Sequence, residues 1–177
     1  MTTGETTTAM TGERADLAQA LAKQRYFLRY TVRDLTDEQA AQRTTASELS
    51  LGGLIKHVTA IEQQWATFIL EGPAAMAAGW EDEDAVARYL DGFRMVAGET
   101  LAGLLAAYEA TARRTDDLLA TLPDLDRSHP LPEAPWFEPG AQWSARRVLL
   151  HVIAETAQHA GHADIIRESL DGAKSMG

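Results

Sequence analysis

Residues 144–172 read SARRVLLHVIAETAQHAGHADIIRESLDG, and this stretch decides the fold class. Its apolar residues recur at three- and four-residue spacing, which is the period of an amphipathic helix. Ser144 is a suitable N-cap, and Gly172 is of a residue type that commonly ends a helix. The pattern therefore predicts one long helix from Ser144 to about Leu170.

The same period continues through the rest of the chain, where Ala, Leu, Glu and Arg fill long segments that never alternate apolar and polar residues for long. It predicts three more long helices: Glu13 to Asp34, Leu51 to about Leu70 behind a Ser50 cap, and roughly Gly98 to Thr121. The polar segment Gln39 to Glu48 is a connection. Four long helices with long crossings indicate an all-α fold, a four-helix bundle.

The two connections on either side of the third long helix have distinctive compositions. The acidic residues Glu81 to Asp84 lead into a short helical piece near Ala85 to Phe93. Five prolines between positions 123 and 142 exclude regular helix there and predict a surface loop. Trp136 and Phe137 in this loop would either form an apolar wall for a bound molecule or anchor the loop in the core.

Composition limits the classes of function. A chain of 177 residues with 45% apolar content predicts a single domain, residues 13–177, after a disordered tail of residues 1–12. It has no apolar run long enough for a bilayer and no export signal, so a soluble cytoplasmic protein is expected. The net charge of −10 argues against nucleic acid as a partner. Without cysteine, any thiol chemistry needs a thiol cosubstrate.

The histidines give the clearest functional signal. His151, Glu155, His159 and His162 fall within an arc of roughly 80° on one face of the last helix, because successive residues turn by about 100°. Side chains four residues apart can chelate one ion, so spacing alone allows several pairs from this face. A bundle site needs a ligand from a second helix, and the only histidine on another predicted helix is His57.

Other polar residues have simpler interpretations. Glu62 follows His57 by five residues and points about 140° away from it, so it is expected to pair with a neighbouring helix. His129 stands alone in the proline-rich loop and is expected at the surface. Four arginines are candidates for holding a substrate carboxylate, although exposed arginines are commonly just solvated: Arg25, Arg29, Arg146 and Arg147.

Two helical segments resemble the DinB-like superfamily, and more narrowly its mycothiol-transferase-like branch. They are residues 53–65, GLIKHVTAIEQQW, and residues 151–164, HVIAETAQHAGHAD. The likeness covers the chain from about Asp16 to Gly172. It implies a four-helix bundle with long crossings, in which a histidine of the second long helix and two residues four apart on the last helix hold a metal ion.

Transferred by position, the resemblance implies His57, Glu155 and His159 as the metal ligands. Many members have histidine where this chain has Glu155, but the mycothiol-dependent maleylpyruvate isomerases resemble it in using a His/Glu/His triad. His162 then falls behind the ligands or at the rim of the pocket. His151, one turn before the triad, is expected to be structural or to lie at the same rim.

Two imidazoles and one carboxylate leave open positions on a divalent ion, as catalytic sites do, and zinc or nickel suits these ligands best. With the resemblance, this predicts an S-transferase that activates a low-molecular-weight thiol, such as mycothiol, for attack on a small electrophile. Two alternatives stay open. The same metal could activate water in a hydrolase of small amides or esters, or the chain could be a non-enzymatic metal- or ligand-binding stress protein, as a homodimer.

Overall fold

The computed structural model describes residues 10–76 and 85–175. Residues 1–9 of the predicted tail and the acidic stretch Glu81 to Asp84 lie outside them. The helices, numbered along the chain, are α1 (Gly12–Tyr30), α2 (Asp37–Ala41), α3 (Leu51–Glu71), α4 (Ala85–Asp91), α5 (Leu101–Thr121) and α6 (Ala145–Asp171). A 3-10 helix, Gly72–Met76, follows α3, and strands β1 (Ser128–Pro130) and β2 (Gln142–Ser144) pair as an antiparallel hairpin.

The four predicted long helices are present, and their ends follow the predicted chemistry. The Ser50 side chain accepts a hydrogen bond from the backbone N–H of Gly53, and Ser144 accepts one from Arg147, so both serines are N-caps. Gly172 ends α6 with φ of 79°, a left-handed conformation that costs glycine little. Local capping chemistry therefore sets where α3 and α6 begin and where α6 ends.

Three boundaries differ from the sequence-based expectation. Helix α1 ends at Tyr30, and the chain turns through Asp34 at φ of 59°. A capping box between Thr36 and Gln39 starts the short helix α2, part of which lies in the segment assigned to a connection. Helix α5 begins at Leu101 because Thr100 caps it.

The β1–β2 hairpin was not predicted at all. Each strand has only three residues, and β1 ends in a proline, Pro130. Neither strand is long enough to show an alternation of apolar and polar residues. The hairpin joins the two ends of the proline-rich loop, with Pro130 opposite Gln142 and Ser128 opposite Ser144. The loop is thereby closed at its base and ordered by backbone pairing.

The long helices form an all-α bundle in which α1 packs on α6, and α3 packs on both α5 and α6. Two clusters of buried apolar side chains fill it. One surrounds Trp65, Phe68 and Val148, and the other surrounds Leu54, Val58 and Tyr108. Among the helices that the structure describes, none is long and apolar enough to cross a bilayer.

An ion pair lies inside the bundle. Arg25 of α1 is 4% exposed and Glu62 of α3 is fully buried, and Arg25 Nε donates to Glu62 Oε2 at 3.2 Å. Arg25 Nη1 also donates to Asp116 of α5 at 2.8 Å. The expectation that Glu62 pairs with a neighbouring helix is thus confirmed, and one guanidinium links three helices.

We predict that Glu62→Gln lowers the free energy of unfolding by about 3 kcal/mol, because it removes the carboxylate that compensates a buried guanidinium. The matched control is Glu109→Gln on α5, where the carboxylate pairs with Arg29 at an exposed position. That change should cost less than about 1 kcal/mol. Urea unfolding followed by circular dichroism measures both, and equal losses would contradict the stabilising role of the buried pair.

Candidate metal centre

Helices α3 and α6 bring the predicted triad together. One ligand atom from each of His57, Glu155 and His159 lies within 4.8 Å of the other two. His159 Nε2 is 3.6 Å from Glu155 Oε2, and the rings of His57 and His159 meet edge to face with centroids 4.9 Å apart. Of the alternatives that spacing left open, the structure brings His57 to the Glu155–His159 pair.

The sequence of each helix explains this meeting. Glu155 and His159 are one turn apart on α6, while Ala160 and Ala163 beside them are buried in the cluster that contains Leu54 and Val58 of α3. Alanine at the contact lets two helix backbones approach closely. The side chain of His57, on the same stretch of α3, therefore reaches the ligands of α6 directly.

Both histidines of the triad are held in their neutral form. Burial, and then the proximity of His159, lowers the pKa of His57 from its usual value of 6.5 to about 4. Burial, and then His162, also lowers the pKa of His159. A neutral imidazole offers a nitrogen lone pair, which is the form that binds a metal ion.

The spacing of two of the candidate donors fits a divalent ion. At metal–ligand bonds of about 2.0–2.1 Å, two ligands of a tetrahedral ion lie about 3.3 Å apart. The 3.6 Å between His159 and Glu155 is within a few tenths of an ångström of that value. In the described part of the chain, no fourth His, Asp or Glu joins the group. Three donors from the described residues would leave a position open on a tetrahedral ion.

Two more histidines flank the triad on α6. His162 Nδ1 lies 3.4 Å from His159 Nδ1, and His151 Nε2 lies 3.8 Å from Glu155 Oε1. The His151 ring also contacts Trp65 and Trp143 edge to face, at centroid distances of 4.9 and 5.0 Å. Both histidines thus lie beside the candidate triad on α6, and their role as rim or structural residues stays a prediction.

Phe93 is a neighbour of the triad that the sequence analysis missed. Its ring stacks on His57 with centroids 4.2 Å apart and planes inclined by 25°. The contact depends on Gly53, because a Cβ at that position would collide with the backbone carbonyl of Phe93. Two adjacent glycines inside a helix, Gly52 and Gly53, were the available signal for such a close approach.

The four candidate arginines are all engaged elsewhere, and none lies in the triad. Arg25 is the buried partner of Glu62, Arg29 pairs with Glu109, Arg146 pairs with Glu13 and Asp126, and the Arg147 guanidinium lies over the Trp143 ring at 4.2 Å from its centroid.

The expected surface position of His129 is wrong. That side chain is half-buried, with Nε2 3.2 Å from the Ile69 carbonyl oxygen and its ring against Phe68.

The two aromatic residues of the proline-rich loop have different surroundings. Phe137 packs against the core cluster and meets Trp143 with centroids 5.8 Å apart, so it anchors the loop. Trp136 is 65% exposed and faces a cavity beside the triad. One aromatic residue therefore anchors the loop, and its neighbour lines the cavity with much of its surface exposed.

Comparison with known proteins agrees with this architecture. The model of a family described as Mycothiol-S-transferase matches residues 16–172, nearly the span of the resemblance seen in the sequence. A conserved protein from Enterococcus faecalis, solved as a crystal structure, has a similar fold. It is 14% identical, with a TM-score of 0.69 over 93% of this chain and 100% of the other. The comparison with curated proteins found no match.

The lowered pKa of His57 has a measurable consequence in the metal-free protein. Unfolded chains take up a proton on this histidine near pH 6.5, whereas the folded chain resists protonation until about pH 4. Stability is therefore lost as the pH falls from about 6.5 to 4, by up to about 3 kcal/mol from this group. We predict that the unfolding free energy of the wild type minus that of His57→Gln, both in chelator-treated samples, falls by about that amount between pH 7.5 and 4. A pH-independent difference would contradict it.

Proposed function

The chain belongs to the mycothiol-S-transferase family, and from this premise we propose that it is a metal-dependent S-transferase that uses a low-molecular-weight thiol, such as mycothiol, to attack a small electrophile. The observation that carries the proposal is the meeting of His57, Glu155 and His159 across α3 and α6. The chain has no cysteine, so the nucleophilic sulfur must come from a cosubstrate. The family name and the composition lead to the same kind of reaction.

The three residues have defined roles in this proposal. His57 and His159 would bind a divalent ion through neutral ring nitrogens, and Glu155 would add one negative charge. Zinc or nickel suits this set of ligands. The bound ion supplies the Lewis acidity that lowers the pKa of a thiol, so that the thiolate exists at neutral pH. A site with three protein donors leaves room for that thiol.

The surroundings of the triad support the same use. The Phe93 ring covers one face of His57, and its stacking excludes water from that side. His151 approaches Glu155 from one turn earlier on α6, and the ring of His151 is itself held by Trp65 and Trp143. These contacts fix the directions of the donor atoms before an ion binds, which lowers the cost of assembling the site.

The overall reaction conserves atoms and charge with an organic halide as the electrophile. The sulfur forms a bond to carbon while the carbon–halogen bond breaks, and the halide leaves with the electron pair of that bond. The thiol proton passes to solvent. No oxidant or reductant is required. The predicted homodimer and cytoplasmic location remain predictions beside this proposal.

We predict that the purified, untagged protein binds about one zinc or nickel ion per chain, and that His57→Ala, Glu155→Ala and His159→Ala each bind only a trace. Removing one of three donors leaves too few to hold the ion against buffer. Elemental mass spectrometry measures the content after reconstitution and gel filtration. The matched control is His129→Gln, a half-buried histidine of the β1–β2 hairpin, which should retain the metal.

Circular dichroism must show that each variant is folded, because an unfolded variant would lose the ion whatever the role of the substituted residue. If folded Glu155→Ala keeps a full complement of metal, the proposed triad is wrong. If the wild type binds neither ion after reconstitution, the metal-dependent reaction is wrong as a whole.

We also predict that the zinc- or nickel-loaded protein accelerates the reaction of mycothiol with chlorodinitrobenzene over the uncatalysed rate, and that folded His159→Ala does not. Product formation followed by absorbance, with chromatography of the thioether, measures the rate. Hydrolysis of a nitrophenyl ester by the loaded protein, without thiol transfer, would instead favour the hydrolase alternative. Metal binding without either reaction would favour a binding protein.

A further inference from the structure

A cavity of about 600 Å³ lies between α3, α6 and the proline-rich loop. Aromatic rings supply much of its lining, with Trp65 on α3 and Trp136 and Phe137 on the loop. A volume of this size falls in the range of small-molecule sites, which extends from about 300 to about 1,000 Å³. The cavity is therefore large enough for a substrate and not only for water.

The cavity begins next to the triad. Ile61, which lines it, follows His57 by one turn on α3, and His151, which also lines it, precedes Glu155 by one turn on α6. His151 Nε2 is 3.8 Å from Glu155 Oε1, so a molecule in contact with His151 lies one side chain away from the triad. The cavity and the triad are thus neighbours across the His151 side chain.

The charges around the cavity restrict what it can hold. Among the lining residues that the structure describes, there is no lysine or arginine, and Glu133 is the one carboxylate. Gln64 adds a neutral amide. A carboxylate or phosphate brought here would lose water, gain no cationic partner and face Glu133, which is unfavourable. An uncharged molecule incurs none of these costs.

We propose that this cavity binds the electrophile of the reaction, and that the electrophile is an uncharged, flat aromatic molecule in contact with Trp136. The inference rests on the proposed S-transfer and assigns its second substrate. Planar rings fit a site lined by Trp65, Trp136 and Phe137, since offset-stacked and edge-to-face contacts add to the burial of apolar area. Trp136 is 65% exposed, so a ligand would bury surface that now faces solvent.

Arg147 is a cationic residue near His151 that could attract an anionic electrophile instead. It is exposed and lies over the Trp143 ring, 4.2 Å from the centroid, and it does not line the cavity. The geometry therefore favours neutral over anionic ligands. The same residue offers a direct check, since Arg147→Gln should leave the binding of a neutral ligand unchanged.

The test compares two ligands of nearly equal size that lack a leaving group, methyl 3-nitrobenzoate and 3-nitrobenzoate. Isothermal titration calorimetry on the metal-free protein measures the binding of each without any reaction. We expect the neutral ester to bind at least about tenfold more tightly than the carboxylate. Trp136→Ala should weaken ester binding by about five- to tenfold, whereas Tyr26→Ala, at a similarly exposed aromatic residue on α1, should not change it.

A second measurement uses the chlorinated counterparts, methyl 4-chloro-3-nitrobenzoate and 4-chloro-3-nitrobenzoate, with mycothiol and the metal-loaded protein. Each rate is divided by its uncatalysed rate, because the ester and the carboxylate activate the ring differently. Trp136→Ala should raise KM for the ester by about five- to tenfold with little change in kcat, and Glu133→Gln should narrow the preference for the ester.

The outcomes separate this inference from the proposed function. Thiol transfer that is indifferent to Trp136→Ala, or that prefers the carboxylate, would overturn the inference and leave S-transfer intact. Tighter binding of the ester that depends on Trp136, without thiol transfer to any electrophile, would overturn the proposed function and keep the cavity as a site for neutral aromatic molecules. Tighter binding of the carboxylate would reject the charge argument outright.

Discussion

The rotation of α3 about its own axis decides whether a metal centre can form, and the buried Arg25–Glu62 ion pair limits that rotation. Glu62 can stay in the interior only while it faces Arg25 of α1, because a lone buried carboxylate is strongly destabilising. His57 lies about 140° away around the same helix. When Glu62 faces α1, His57 is thereby turned towards Glu155 and His159 of α6.

The long helices could be predicted from the sequence because periodicity and capping residues are local signals. Periodicity defined the four helices, and Ser50 and Ser144 fixed where two of them begin. The hairpin escaped detection because three-residue strands owe their existence to pairing between distant segments, here Ser128 with Ser144. The half-buried position of His129 follows from that same pairing, so it too was out of reach of local patterns.

The candidate site divides in a similar way. Glu155 and His159 are one turn apart, and a single histidine lies on another predicted helix. Residue spacing and family resemblance therefore predicted a triad whose side chains do meet in the structure. The contact of Phe93 with His57 was not predicted and is seen only in the structure. Its place on His57 depends on a backbone approach at Gly53, which no periodicity describes. The candidate donors could be predicted from the sequence, whereas a neighbour such as Phe93 is placed by tertiary packing.

Ser144 belongs at once to strand β2 and to the cap of α6. The hairpin therefore anchors the base of the proline-rich loop to the same rigid helix that holds Glu155 and His159. Changes in the exposed part of the loop, around Trp136, can then be absorbed between Pro130 and Gln142 without displacing Glu155 or His159, as long as Phe137 keeps its place against the core. Sequence changes at the tip of the loop can therefore reshape the cavity wall at Trp136 while the positions of Glu155 and His159 are kept.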